Sequence, residues 1–355
     1  MLPEPCELEL LLRACERRLA QAPQDCSLWT NRGVLLEQLG RPEEALTSYN
    51  RALQANPERS EAWNNRASLL EQLGLLEDAL ESVQQAIALD SGPASYWNTR
   101  AIIERRLGLA AAVTSARQGL EREPELQPLR WTYARALLES GQPAEARTQL
   151  DWLAQRLPDN PSLWLQLAEL YLRLECPEPA LEQADHALAL DPSLAEGWRL
   201  RGHALFNQGD YGAALGAYEI AQSLGGLSGD LLEHRAHALA HCRRTEDALE
   251  AYEQAIALHP RPGQLCCYQG LLLTLTERFP EAEAAFDRAL RFDAHLADAW
   301  YNRAALRSRL GESEAALADL REALRLDRGH YARLALVDDD FRGLRPLPSF
   351  QSLLS

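Results

Sequence analysis

Residues 26–59, CSLWTNRGVLLEQLGRPEEALTSYNRALQANPER, carry two apolar stripes at helical spacing. Trp29, Gly33 and Leu36 recur at intervals of three and four, Gly40 interrupts them, and Ala45, Tyr49 and Ala52 form a second stripe before Pro57. Apolar positions three and four apart share one helix face, glycine breaks the run and proline ends it, so the segment predicts two amphipathic helices joined by a tight turn. The pattern returns along the chain. Trp29, Trp63 and Trp97 are 34 apart, Trp164 and Trp198 are 34 apart again, and Trp198 to Trp300 is 102, three such periods. The interval from Trp97 to Trp164 is 67, as one deleted residue among the alanines of 109–113 gives. Nine copies follow end to end: 26–59, 60–93, 94–126, 127–160, 161–194, 195–228, 229–262, 263–296 and 297–330.

The order Trp, Gly, Leu, then Ala, Tyr, Ala, Pro at this period resembles the tetratricopeptide repeat, TPR. The resemblance covers most of the chain and implies an all-α fold, a right-handed superhelical solenoid of antiparallel helix pairs that binds partners along its inner face. Asn-Arg-Gly or Asn-Arg-Ala after the tryptophan is similar to TPR proteins common in cyanobacteria. Some copies depart from the pattern. The fourth has Arg130 in the tryptophan position and Trp131 one place later, and the seventh and eighth carry Leu232 and Cys266 there, with Arg243 and Glu277 replacing the mid-turn glycine. Looser packing is expected at these copies. Residues 1–25 read as an N-terminal capping helix, its 8–23 stretch a lone second helix, and 331–355 as a capping segment whose Phe341, Leu344, Phe350 and Leu353 cover the last repeat.

Composition narrows the function. Of 355 residues, 46% are apolar and 25% charged, and 52 acids against 36 bases leave a net charge of -16, which speaks against nucleic acid and anionic membrane as main partners. No apolar run suits membrane insertion and no signal peptide is legible, so a cytoplasmic protein is expected. All 36 basic residues are arginine, which removes P-loop, kinase and Schiff-base chemistry and the lysine-dependent carboxylate clamp of TPR co-chaperones. The seven cysteines contain no CxxC pair and fit no disulfide framework. GxSxG, HExxH and GxGxxG are absent, and repeats consume nearly every residue, so no enzyme and no cofactor is expected.

In each first helix, repeat positions 4, 8 and 11 face the core, while 2, 6, 9 and 13 point the opposite way with 5 and 12 beside them. These outward positions form the candidate partner-binding groove. In the first three copies they hold Asn31, Asn64, Asn65 and Asn98, whose amides suit the backbone of an extended peptide. From the third to the sixth they hold Arg105, Arg106, Arg135, Arg173 and Arg199, whose guanidinium forks suit an acidic segment. Trp131, Leu165 and Phe206 stand beside them as apolar anchors. Solvated polar positions, ion pairs between repeats and helix-to-helix packing are the respective bland readings. His203, His234, His237 and His241 fall on the same face, as a pH-sensitive groove lining or as metal ligands, although no cysteine or carboxylate pair completes a metal signature. A column at position 7, Arg32, Arg66, Arg100, Arg201, Arg235 and Arg303, reads as structural, with heads paired to carboxylates such as Glu44, Asp78 or Asp247. Gly225, Gly226 and Gly229 read as a helix cap and turn, or as a joint. The function expected is a non-enzymatic scaffold or assembly factor holding a partner protein, through an extended or acidic segment; the alternative is a metal-handling protein using the histidines.

Overall fold

The computed structural model describes residues 5–354; Met1–Glu4 and Ser355, which belong to the end segments expected at 1–25 and 331–355, lie outside the described residues. Two compact units divide the chain after Pro158. The first begins with α1 (Pro5–Gln21) and continues in four antiparallel pairs: α2 (Cys26–Gln38) with α3 (Pro42–Ala55), α4 (Ser60–Gln72) with α5 (Leu76–Leu89), α6 (Ala94–Arg106) with α7 (Ala111–Arg122), and α8 (Gln127–Glu139) with α9 (Pro143–Ala154). The second holds five pairs: α10 (Pro161–Arg173) with α11 (Pro177–Leu190), α12 (Ala195–Asn207) with α13 (Tyr211–Gly225), α14 (Gly229–His241) with α15 (Thr245–Leu258), α16 (Gly263–Leu275) with α17 (Phe279–Phe292), and α18 (Ala297–Arg309) with α19 (Ser313–Leu326). It ends in α20 (Arg328–Val337), a short 3-10 turn at Asp339–Phe341 and α21 (Pro348–Leu354). No strand occurs among the described residues.

Three devices recur along the array. Position 8 of the first helix is small because the large residue at position 24 of the second lies against it: a Cβ on Gly33 would come within 2.4 Å of the Tyr49 ring, and one on Gly202 within 2.4 Å of Tyr218. The indole of position 4 donates back to the carbonyl six residues earlier, as from Trp29 to Pro23 (2.9 Å), Trp63 to Pro57 (2.8 Å), Trp198 to Pro192 (2.9 Å) and Trp300 to Ala294 (2.9 Å), which fixes the loop entering each first helix. The turn between the helices places one residue in the left-handed region, where its Cβ would be strained unless it is glycine. Gly40, Gly74, Gly108, Gly141, Gly209 and Gly311 occupy that place in six copies, and Glu175, Arg243 and Glu277 occupy it in the others with φ of 55°, 58° and 59°.

The loosening expected where the pattern lapses is not what the structure shows. Arg130 takes over the tryptophan's bond, its Nε and Nη2 both donating to the Pro124 carbonyl at 3.0 and 2.7 Å, and its guanidinium lies 3.9 Å from the Trp152 ring centroid. Leu232 and Cys266 are fully buried in the tryptophan position. Arg243 and Glu277 keep the turn by adopting the glycine conformation themselves. Between α13 and α14, Gly226 caps the helix at φ 81° and Ser228 Oγ accepts from the Leu231 amide at 3.2 Å, a cap followed by a cap.

The position-7 arginines are built into the frame. Four of the six reach sixteen residues back, sixteen forward, or both: Arg32 to Glu16 (3.0 Å) and Ser48 (2.7 Å), Arg66 to Asn50 (2.9 Å) and Ser82 (2.5 Å), Arg201 to Asp185 (2.8 Å), Arg303 to Asp287 (2.6 Å) and Asp319 (2.7 Å), whereas Arg100 turns to Glu104 on its own helix (2.7 Å) and the Arg235 Nε is buried without a hydrogen-bond partner among the described residues. The carboxylates expected from the sequence are mostly not the ones used. Glu44 lies 3.8 Å from Arg32, but Ser82 replaces Asp78 as the acceptor from Arg66, and Asp247 is held by Arg244 at 2.7 Å. At the C-terminal end Phe341, Leu344 and Phe350 are buried against Tyr301, Leu320, Leu324 and Tyr331, with Leu353 partly buried beside them.

Candidate functional site

Successive first helices touch one another, α2 to α4, α4 to α6 and α6 to α8 in the first unit and α10 to α12, α12 to α14 and α16 to α18 in the second, while second helices make no comparable contact with each other. The first helices therefore lie on the tighter side of each unit, and their positions 2, 6, 9 and 13 line it.

In the first unit Asn31 is exposed on α2 and Asn64 and Asn65 are half-buried on α4, the Asn64 Oδ1 being buried without a hydrogen-bond partner. Asn98 is committed to the frame: its Oδ1 accepts from Thr132 Oγ1 at 2.7 Å, tying position 5 of one first helix to position 6 of the next. Two of the arginines are committed as well. Arg105 pairs with Glu139 at 2.8 Å, and Arg106 donates to the Glu71 carboxylate (2.6 Å) and main-chain carbonyl (2.5 Å), bonds that link neighbouring repeats. Trp131 and Arg135 are half-buried on α8.

In the second unit Leu165 packs with Ala168, Ala184 and Leu200. Arg173 stands exposed at the end of α10. Arg199 grips Glu196 through both Nε (2.7 Å) and Nη2, and this pairing raises its pKa further above the ordinary guanidinium value. Phe206 lies edge-on to Tyr211 and His241, with ring centroids 5.1 and 5.4 Å apart. Of the five arginines proposed for an acidic partner, three are thus spent on carboxylates of this chain.

The histidines form an aromatic run. His203 and His234 overlap at 4.0 Å between centroids, His241 stacks on Tyr211 at 4.1 Å, and His237 meets Tyr268 edge-on at 4.8 Å. Burial pushes the His203 pKa down to about 3, with His234 and Arg199 adding to it, and pushes His237 down to about 4, with His234 and His241 adding to it. Among the described residues no group of three or more His, Cys, Asp or Glu converges on a metal-sized space. The rings face one another and tyrosines, so the metal-ligand reading of these four residues has no geometry behind it.

The second unit also holds an outward face that the sequence reading passed over. On α16, Tyr268, Leu271 and Leu275 follow one another at i, i+3 and i+7 in positions 6, 9 and 13; the first two are half-buried and Leu275 is 79% exposed, more than any other large hydrophobic among the described residues. The signal was legible at the 34-residue period, because Tyr268 stands where Asn31, Asn65 and Asn302 stand in other copies.

A repeated helix pair that presents one uncovered side-chain face defines the class of helical-repeat interaction scaffolds. The chain belongs to the tetratricopeptide repeat family. One family model matches residues 30–95, 177–230, 199–262 and 235–297, more than half of the chain, and two further tetratricopeptide repeat models match 127–170 and 297–330. Among curated proteins, protein FlbA of Caulobacter vibrioides is 28% identical over 172 residues, 39% of this chain and 29% of that protein. Neutrophil cytosol factor 2 of Bos taurus is 33% identical over 98 residues, 28% of this chain and 17% of that protein. The chain thus spans less than a third of the curated relatives it matches. The solved C-terminal part of a TPR repeat-containing protein from Cytophaga hutchinsonii aligns with a TM-score of 0.52 at 17% identity, covering 65% of this chain and 95% of that one, a likeness of fold. No helix among the described residues is long and apolar enough to cross a membrane.

Proposed function

We propose that the chain is a protein-interaction scaffold of nine TPR repeats, capped at 1–25 and 331–355, that serves as a cytoplasmic assembly factor by holding an extended segment of a partner protein on the inner face of its first helices. The observation that carries this reading is the apolar face of α16. A leucine 79% exposed beside a half-buried tyrosine and leucine leaves apolar surface in water that a partner's side chain would cover. Asn31 and Asn65 in the first unit, with exposed or half-buried amides, suit the main chain of such a segment.

An acidic stretch in the partner finds less than five arginines suggest. Arg105, Arg106 and Arg199 would have to exchange an existing carboxylate for a new one, with little net gain. Exposed Arg173 is the better candidate for a carboxylate of the partner.

The test is a binding measurement on the partner recovered by affinity capture. Leu275→Glu should weaken binding by about 2 kcal/mol, since it removes a buried apolar contact and places a charge in its stead. Arg51→Glu, on the outer surface of α3, should change it little. Equal affinity of the Leu275→Glu protein, with its fold intact, would move the partner off this face.

A further inference from the structure

Among the described residues α1 holds the place of a second helix with no first helix paired to it. Its register is fixed by Arg32, which bonds Glu16 sixteen residues back just as Arg66 bonds Asn50 on α3. By that register Leu11, Ala14, Cys15 and Arg18 of α1 correspond to Ala45, Ser48, Tyr49 and Ala52 of α3, and to Ala79, Ser82, Val83 and Ala86 of α5. On α3 and α5 all eight of these residues have no exposed surface, because the first helix of the same repeat lies over them. On α1 Leu11 is 52% exposed, Ala14 is half-buried and Arg18 is exposed. The facing side of α2 is open in the same way: Leu35 is half-buried where its counterpart Leu69 on α4 is 1% exposed.

Together the two helices bound a groove of about 450 Å³ lined by Leu11, Ala14 and Arg18 on one wall and Leu28, Asn31 and Leu35 on the other. Both walls advance in steps of three, four and seven residues, the spacing that accepts one α-helix laid alongside. The wall differs from the covered helices α3 and α5 in size where Leu11 stands for Ala45 and Ala79, and in charge at one place. Where α3 and α5 carry Ala52 and Ala86, α1 carries Arg18, an exposed cation with no ion pair or side-chain hydrogen bond among the described residues. A second copy of the chain has no unpaired first helix to offer, and its own α1 is already one wall of the same groove. Its first helices are packed on their own second helices, and α20 is held by Tyr331 and Ala335 in the core beneath Phe341 and Phe350.

We propose that the groove between α1 and α2 docks an amphipathic α-helix of a partner protein, which takes the place of a repeat's first helix and sets a carboxylate against Arg18. Asn31, at position 6, then meets position 5 of the incoming helix, as Thr132 meets Asn98 and Asn302 meets Cys267. This site lies in the first unit and is independent of the α16 face.

A photo-reactive residue placed at position 11 of the full chain, in cells that make the protein, captures whatever lies in the groove, and mass spectrometry identifies the linked segment. The expected result is one segment of another protein with apolar residues at i, i+3 or i+4 and i+7 and an aspartate or glutamate beside them. A synthetic peptide of that segment should gain helicity on binding, and Arg18→Glu should weaken it roughly tenfold or more. Arginine in place of the peptide's acid should restore binding to the Arg18→Glu protein, while Leu10→Glu, on the same helix but outside the groove, leaves binding as it was. A link to a second copy, to another part of this chain or to nothing would overturn the proposal. So would a peptide that binds without gaining helicity, or one indifferent to Arg18→Glu.

Discussion

At the residue scale, the turn glycines and their three replacements give a direct test of backbone strain. A non-glycine residue in the left-handed region costs on the order of 1 kcal/mol, partly offset by the greater freedom glycine would have in the unfolded chain. Arg243→Gly and Glu277→Gly should therefore each stabilise the protein by up to about 1 kcal/mol, and Gly40→Ala should destabilise it by a similar amount, read in urea unfolding. His203 and His237 supply the pH dependence. Their folded pKa values, about 3 and about 4, lie below the ordinary histidine value of 6.5, so the unfolded chain binds more protons between those limits. Stability is then full above about pH 6.5 and falls as the pH drops toward 4, with a slope approaching about 1.4 kcal/mol per pH unit for each histidine. His203→Phe, which keeps a ring in the run, should remove its share of that slope while leaving stability at pH 8 nearly unchanged; a slope that survives would place the titration elsewhere.

At the scale of the element, most of the helix pair was legible. The period of 34, the small residue at position 8 and the turn glycine each have one dominant physical reason, and the sequence displays it. What was not legible is which atoms replace a missing signature. Nothing in the order of letters says that Arg130 can reach the Pro124 carbonyl from the tryptophan position, because the substitution depends on side-chain reach and on Trp152 lying beneath the guanidinium. The arginine column was legible as structure, yet the partners of Arg32, Arg66, Arg201 and Arg303 lie sixteen residues away, a separation set by packing. In the last pair the column becomes a buried network, where Asp319, 4% exposed at its side chain, accepts from Arg303 at 2.7 and 2.8 Å and from Arg307 at 2.8 Å. Asp319→Ala takes from two guanidinium groups the carboxylate they share, leaving Arg303 with Asp287 and Arg307 with Glu283, and should cost about 2 to 3 kcal/mol in thermal or chemical unfolding. Ser48→Ala, which removes a neutral acceptor at the equivalent place on α3, should cost only about 1 kcal/mol.

At the scale of the whole molecule, the candidate site was the least legible part, since exposure on a repeat's inner face follows from which charges the neighbouring repeats happen to supply. Arg105 and Arg173 carry the same letter, but Glu139 stands one repeat beyond Arg105 and takes it up. At the two ends the sequence offers simpler signals, the stripe of a second helix in α1 and the phenylalanines that follow the last copy. The tail yields the last prediction. Phe341, Leu344 and Phe350 are buried against Tyr301, Leu320, Leu324 and Tyr331, and Tyr301 and Ser308 of α18 donate to the Asp338 carboxylate (2.7 Å) and the Asp340 carbonyl (2.6 Å). Ending the chain after Leu326 would uncover that apolar surface and strip these acceptors from the last pair. The shortened protein should remain helical by circular dichroism yet melt at a lower temperature and associate in light scattering, as a repeat array does when its end is bared. Replacing Phe341 and Phe350 with alanine in the full chain should have the same effect in milder form, about 3 kcal/mol or more for each ring lost. A truncated protein that stays monomeric and melts with the full-length one would show that 327–355 is a passenger on the array.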